Sequence, residues 1–299
     1  MDVVYLLYTY FVFFFMPTRI VTTIAIATCV IAFFILIGYI VFVHRETNRA
    51  TDALGHSFGS GCNIAYIPLR GDMVTYNTGG DSTSSSVVDN GYAASEDITL
   101  QIRAATTDSS IDAIILAIDS GGGDPVAGEE IEMALKRSHK PTVALIRSQG
   151  DSAAYMAATG ADTIVASAFS DVGSIGVTAS YSDTAKQDVK DGLTFHQLST
   201  GKFKDMFNPA KNMTDEEKAL ILKQMQQYFG HFIDMVATNR HLDRATVVNL
   251  ADGSSMTGDD ALKNGLIDSI GSIDDVRSVL SKKIGHDAII CGIDDIITE

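Results

Sequence analysis

Residues 142–166 read T-V-A-L-I-R-S-Q-G-D-S-A-A-Y-M-A-A-T-G-A-D-T-I-V-A. Two short apolar runs, Thr142–Ile146 and Thr163–Ala166, enclose an alanine-rich run that ends at Gly160. The outer runs have the length and content of buried strands, and the small residues between them suit a helix, so the stretch predicts strand, junction, helix, strand. Ser152 falls at the strand-to-helix junction. A serine there either caps the helix or presents its hydroxyl for chemistry, and the pattern alone leaves both readings open.

Moving outward, Ile64–Leu69 and Ala113–Ile118 repeat the buried-strand pattern, with helical patterns at Ile98–Ala105 and Glu129–Arg137. Thr78–Gly91 is a polar loop rich in Ser, Thr, Gly and Asp. After Lys211 the pattern turns helical. Thr214-Asp215-Glu216-Glu217 is a capping box, and Leu222, Met225, Phe229, Phe232 and Val236 follow at i+3/i+4 spacing. Such a stripe predicts core or subunit contact rather than a ligand site. The class is α/β with a helical C-terminal portion.

The 299 residues carry a formal net charge of −15, which argues against an affinity built on basic patches and phosphates, so nucleic acid is not an expected partner. The charge is unevenly spread: residues 1–50 hold only Asp2, Arg19, Arg45, Glu46 and Arg49, a net of +1. From Ile20 to Val43 there is no Asp, Glu, Lys, Arg or His. As a helix those residues reach about 36 Å, enough for a hydrocarbon core of about 30 Å. The expected organisation is a membrane anchor over residues 1–43, a tether over 44–62 and a folded domain over 63–299, with the lipid bilayer as a partner. A second apolar run, Val3–Met16, covers only about 21 Å and lies in the interface, forms a hairpin with the span, or precedes an alternative start at Met16. Arg45 and Arg49 against Arg19 tilt the folded domain towards the cytoplasm by one charge. Three cysteines make no disulfide framework. Cys29 lies in the span, and Cys62 and Cys291 are expected to be unpaired buried thiols, with pairing outside a cell as the alternative.

Asp119-Ser120-Gly121-Gly122-Gly123-Asp124 follows one predicted strand and precedes a helix. It lacks the G-K-[ST] and G-x-G-x-x-G patterns of phosphate loops, and its aspartates would repel an anion. It is either an ordinary turn or a set of N–H donors for an oxyanion. No H-E-x-x-H or Cys/His cluster supports a metal, and none of the motifs calls for a cofactor. His196 is better suited to an orienting or core role than to a triad. Gly201-Lys202-Phe203-Lys204 sets two lysines beside an aromatic, and a lysine acts as general base when burial depresses its pKa from about 10.4 towards 7–8.

The series S-A-A-Y-M-A-A-T-G-A-D-T-I-V-A, V-G-S-I-G-V and G-K-F-K-D-M-F-N-P resembles the signal peptide peptidase A family, membrane-anchored serine–lysine peptidases with a Clp protease/crotonase-like fold. The similarity runs from about Asn63 to about Leu280 and takes in I-D-S-G-G-G, M-T-D-E-E-K and G-L-I-D-S-I-G-S-I-D-D. By this resemblance Ser152 is the nucleophile, Lys204 the general base and Ser174 the hydroxyl that positions the lysine amine. The N–H groups of Gly122 and Ala153 are the oxyanion donors. The chain departs from the family at Ala153 and Ala154, where glycines are usual, and at Asp119 and Gly121, where the family has N-S-P-G-G. The added methyls are expected to alter specificity and leave activity intact.

The resemblance implies a membrane-anchored endopeptidase that cuts apolar peptides such as remnant signal peptides, located at the cell membrane with its peptidase domain extracytoplasmic. It implies a homo-oligomer, expected as a ring of eight, whose protomers share active sites. The alternatives are an inactive membrane scaffold of the same fold, a prohead-type protease of the same superfamily, which the membrane span disfavours, and a crotonase-like acyl-CoA enzyme, which the Lys204 segment disfavours.

Overall fold

The structure, a computed structural model, describes residues 32–39, 58, 61–76 and 91–292. The chain divides into two units, Met1–Ser57 and Phe58–Glu299. In the first, residues 32–39 are helical and exposed. Among the described residues no helix is long and apolar enough to cross a membrane. Apart from residues 32–39, the expected span Ile20–Val43 lies outside the described residues, as do the run Val3–Met16, most of the tether and the polar loop up to residue 90.

The second unit is built on a seven-stranded sheet. Five strands run parallel in the order β1 (Ile64–Arg70), β4 (Ala113–Ser120), β5 (Thr142–Asp151), β6 (Thr163–Ala166) and β9 (Ser269–Ile270). The short β7 (Asp171–Gly173) pairs in parallel with the end of β5 and antiparallel with β8 (Ser255–Thr257). A separate parallel pair joins β2 (Asp72–Val74) to β3 (Tyr92–Ala94). The helices are α1 (Ser95–Thr107), α2 (Pro125–Arg137), α3 (Ala153–Ala158), α4 (Ala185–Lys190), α5 (Asp215–Arg240), α6 (Arg244–Leu250), α7 (Gly258–Lys263) and α8 (Ile273–Ile284).

Strand β4 shows why the central strands read as unbroken apolar runs. Only Asp119 of its eight residues is exposed. Ile114, Leu116 and Ile118 enter the core shared with Ile98 of α1, Ile131 of α2 and the alanines of α3. Ala113 and Ile115 enter a second core with Val276 and Leu280 of α8. Alternate side chains therefore meet apolar cover on both faces, and each large one contributes about 1.5–3 kcal/mol by leaving water.

Strand β5 extends five residues beyond the run Thr142–Ile146 expected from hydropathy. Its first half pairs with β6 through Val143–Ile146, and its end pairs with β7 through Gln149–Asp151. In between the register against β4 slips: Ile118 faces Ile146, but Ser120 faces Gly150. The Ser170 hydroxyl donates to the Arg147 carbonyl at 2.5 Å and holds this bulge. The polar residues of the bulge hide the extension from a hydropathy reading, and the bulge re-aims the strand end that carries Ser152.

Helix α5 begins at the expected capping box, with Glu217 N–H donating to the Thr214 hydroxyl and Thr214 N–H to the Glu217 carboxylate. Its apolar stripe divides. Phe232 and Val236 are buried, whereas Leu222 is 57% exposed. Between β7 and α5 the only regular element is α4, and Val189, Leu193, Leu198 and Phe207 are exposed along the way.

The expectation of two free thiols is corrected. Cys62 and Cys291 form a disulfide, with Cα atoms 5.0 Å apart. The backbone brings them together: Ile64 bridges Ile290 in parallel, and Cys291 N–H donates to the Ile64 carbonyl at 2.9 Å. The segments around Cys62 and Cys291 therefore meet at the β1 edge. Removing a cross-link that closes so long a loop costs about 2–4 kcal/mol. Cys62→Ser is expected to lower the midpoint of denaturant unfolding, and dithiothreitol to lower the parent to the same value. Equal midpoints for parent and variant without reductant would show the pair to be unjoined.

Candidate active site

Ser152 occupies the turn between β5 and α3 with φ +52° and ψ −123°, a conformation that costs a residue with a Cβ of the order of 1–3 kcal/mol. Its N–H donates to the Gly173 carbonyl at 2.8 Å, which ties the turn to β7. Although Ser152 is the cap residue of α3, its side chain makes no capping hydrogen bond. Of the two readings left open by the sequence, the structure disfavours the structural one.

The surroundings press the turn into place. Gly122 has φ +101°, and a Cβ on it would lie 2.8 Å from the Ser152 Cβ and 2.9 Å from the Ala153 nitrogen. A Cβ on Gly128 of α2 would come within 2.7 Å of the Ala153 carbonyl oxygen. Only glycine allows these approaches. On the far side of α3, buried Tyr155 donates its hydroxyl to the Leu266 carbonyl at 2.8 Å. Burial pushes its phenol well above the ordinary range, so it remains a neutral donor.

Ser152 and Ala153 open onto a cleft of about 600 Å³ that Ser174 also lines. Ser174 is another left-handed residue, at φ +45°. Its N–H donates to the Ser254 carbonyl at 3.1 Å and its hydroxyl to the Gly253 carbonyl at 3.0 Å. Met156, Leu222, Met225 and Phe229 supply apolar walls. The front half of the α5 stripe, expected as core or subunit contact, is thus part of the cleft, because only the rear half, with Phe232, Ile233 and Val236, enters the main core.

Two of the expected roles meet a different geometry. Gly122 N–H donates to the Ser120 hydroxyl at 3.1 Å, and that hydroxyl donates to the Gly71 carbonyl at 2.6 Å. The Gly122 donor is therefore engaged. Gly123, which the sequence did not single out, lines the cleft, and its N–H has no partner among the described residues. The same holds for Ala153 N–H. Lys204 lies in an exposed turn and does not line the cleft, and His196 is exposed and does not line it either. Lys202 pairs with Glu216 at 2.5 Å and lies 5.5 Å from the Phe203 ring centroid.

Asp151, immediately before Ser152, is 5% exposed. One carboxylate oxygen accepts from the Gln149 amide at 3.2 Å, and the other is buried with no partner among the described residues. Burial raises its pKa above the ordinary 3.8, the Asp171 charge adds to the rise, and bonds from Ser255 and Gln149 oppose it. A raised folded-state pKa contributes stability that is complete below the unfolded value and is lost as pH rises through the folded one. Asp151→Asn is therefore expected to melt above the parent at pH 7 and to lose that advantage by about pH 3. An advantage that persists unchanged at low pH would contradict the assignment.

A hydroxyl held in a strained turn, beside free backbone N–H donors in an apolar cleft, has the parts needed for acyl transfer. The comparisons agree with that class. The model of peptidase family S49 matches residues 134–287, just over half of the chain, and the chain belongs to this family. The match includes Ser152, Ser174 and Lys204; the Gly122–Gly123 turn precedes it. The chain is 33% identical over 177 residues to the putative protease MJ0651 of Methanocaldococcus jannaschii, covering 58% of this chain and 57% of that protein. It is 31% identical over 186 residues to the putative signal peptide peptidase SppA of Enterococcus faecium, covering 61% and 54%. Protease 4 of Salmonella typhi is 31% identical over 210 residues, covering 69% of this chain and 31% of that protein. The chain thus spans little more than half the length of the first two relatives and about a third of the last.

Proposed function

We propose that the chain is a membrane-tethered serine endopeptidase of Clp protease/crotonase-like fold, with Ser152 as nucleophile and Lys204 as general base. The observation that carries this reading is the uncapped, left-handed Ser152 facing an apolar cleft beside unengaged N–H groups at Ala153 and Gly123. Ser152 Oγ attacks the scissile carbonyl as its proton passes to a neutral Lys204 amine. The Ala153 and Gly123 N–H groups receive the developing oxyanion, in place of the Gly122 donor expected from the sequence. The lysine returns the proton to the leaving amine, and water then hydrolyses the acyl-enzyme by the same route in reverse.

In this proposal the base comes from a second copy of the chain. The cleft has no lysine or histidine among its described lining residues, while the segment that bears Lys204 exposes Leu193, Leu198 and Phe207. Docking that segment on a neighbour would bury its apolar side chains and complete the neighbour's cleft, and a closed ring, expected as an octamer, satisfies every protomer equally. The apolar walls favour apolar peptides, with released signal peptides as the expected class. The Cys62–Cys291 pair supports an extracytoplasmic position at the cell membrane, where disulfides persist. Labelling with a fluorophosphonate tests the reading: the parent is expected to be modified at Ser152, whereas an inactive scaffold would take no label.

A further inference from the structure

The cleft contains one ionisable side chain among its described lining residues, Asp252. It lies in the turn that holds Ser174, next to Gly253, whose carbonyl accepts the Ser174 hydroxyl, and Ser254, whose carbonyl accepts the Ser174 N–H. One oxygen of Asp252 is occupied by Ser254, which donates its N–H at 2.8 Å and its hydroxyl at 2.5 Å. The other oxygen has no partner among the described residues, and the side chain is exposed. The bonds from Ser254 hold the carboxyl below its ordinary range, so it stays charged throughout the range in which a peptidase works.

We infer that Asp252 is a specificity-determining residue that selects peptides carrying a Lys or Arg side chain within the segment bound in the cleft. The proposal rests on the peptidase reading above. Apolar walls accept apolar residues of many shapes and discriminate weakly between them. A fixed negative charge on such a wall distinguishes by sign: it attracts an ammonium or guanidinium, is indifferent to an amide and repels a carboxylate. The walls from α5 and the carboxylate from the turn before β8 line the same cleft, so one bound peptide can meet both. The preferred substrate is an apolar segment with a single basic residue.

The test uses N-acetylated, dye-labelled peptides of Leu and Ala with one central Lys, Gln or Glu, so that the central side chain supplies the only cation. Binding is measured on the full chain with Ser152→Ala, and hydrolysis on the chain with Ser152 intact. The Lys peptide is expected to be favoured over the Glu peptide by about tenfold in affinity and in kcat/KM, with the margin shrinking at high salt. Asp252→Asn keeps an oxygen for the Ser254 bonds and removes the charge, so the Lys-to-Glu ratio should fall towards one; Asp252→Lys should invert it. Cleavage without charge preference, or a preference unchanged in Asp252→Asn, overturns the inference and leaves the peptidase reading standing. Charge-ordered binding without Ser152-dependent cleavage supports the inference and sinks the peptidase reading. A change in Asp252→Asn that is equal for all three peptides and shifts the pH profile would show that Asp252 meets the Lys204 amine of another copy, which also overturns the inference.

Discussion

Ser152→Ala is expected to lower peptide hydrolysis by at least about a thousandfold while leaving the fold intact, and Lys204→Ala to do the same. Each removes a different half of one step. In the proposed mechanism no acyl-enzyme forms without Ser152 Oγ, and without the Lys204 amine the hydroxyl keeps its proton and attacks poorly. The alanine at 152 takes away no capping bond, because the Ser152 side chain makes none, so stability should change little. Lys204 is exposed, and its loss opens no cavity. Lys202→Ala is the control. That side chain reaches solvent, paired with Glu216 at 2.5 Å, and an exposed pair of this kind contributes at most about 1 kcal/mol. Steady-state hydrolysis with thermal melts on the same samples decides the matter. Essential Lys202 with dispensable Lys204 would reassign the base.

Mixing the two inactive chains is expected to restore activity. If serine and lysine meet across a contact between copies, random exchange places an intact serine opposite an intact lysine in about one contact in four. An equimolar mixture of Ser152→Ala and Lys204→Ala should therefore approach a quarter of the parent activity per chain, with neither variant active alone. The readout is hydrolysis after subunit exchange, with exchange itself followed by energy transfer between labelled chains. Exchange without recovery would place both residues in one protomer and end the shared-site model.

The parts of this fold that sequence reveals are those fixed by local rules. β1, β4 and β6 stand out because a parallel strand covered on both faces reads as an unbroken apolar run, and α5 because its first turn satisfies its own N–H groups through Thr214 and Glu217. Ser152 is visible as a residue at a strand-to-helix junction. That its hydroxyl leaves the helix uncapped is a matter of φ and ψ, which composition does not encode. Gly122 N–H is taken by Ser120, which bonds through to Gly71, while Gly123 N–H has no partner among the described residues, and the order of three glycines does not reveal which N–H is engaged. The walls formed by Leu222, Met225 and Phe229 were legible as an apolar face, but periodicity names a face without naming what lies opposite. The Cys62–Cys291 pair joins residues 229 apart in sequence, which only the completed sheet brings together.

That pairing also determines how the second unit bears a pull. Force applied to the chain before Cys62 and after Cys291 passes through the sulfur–sulfur bond, and none of it runs through the strands between them. A machine threading the chain from either side would take up the flanking residues and then meet a covalent ring enclosing the whole sheet. Until the bond is reduced, the residues on either side of it can be dragged, stretched or trimmed while the geometry around Ser152 carries no load.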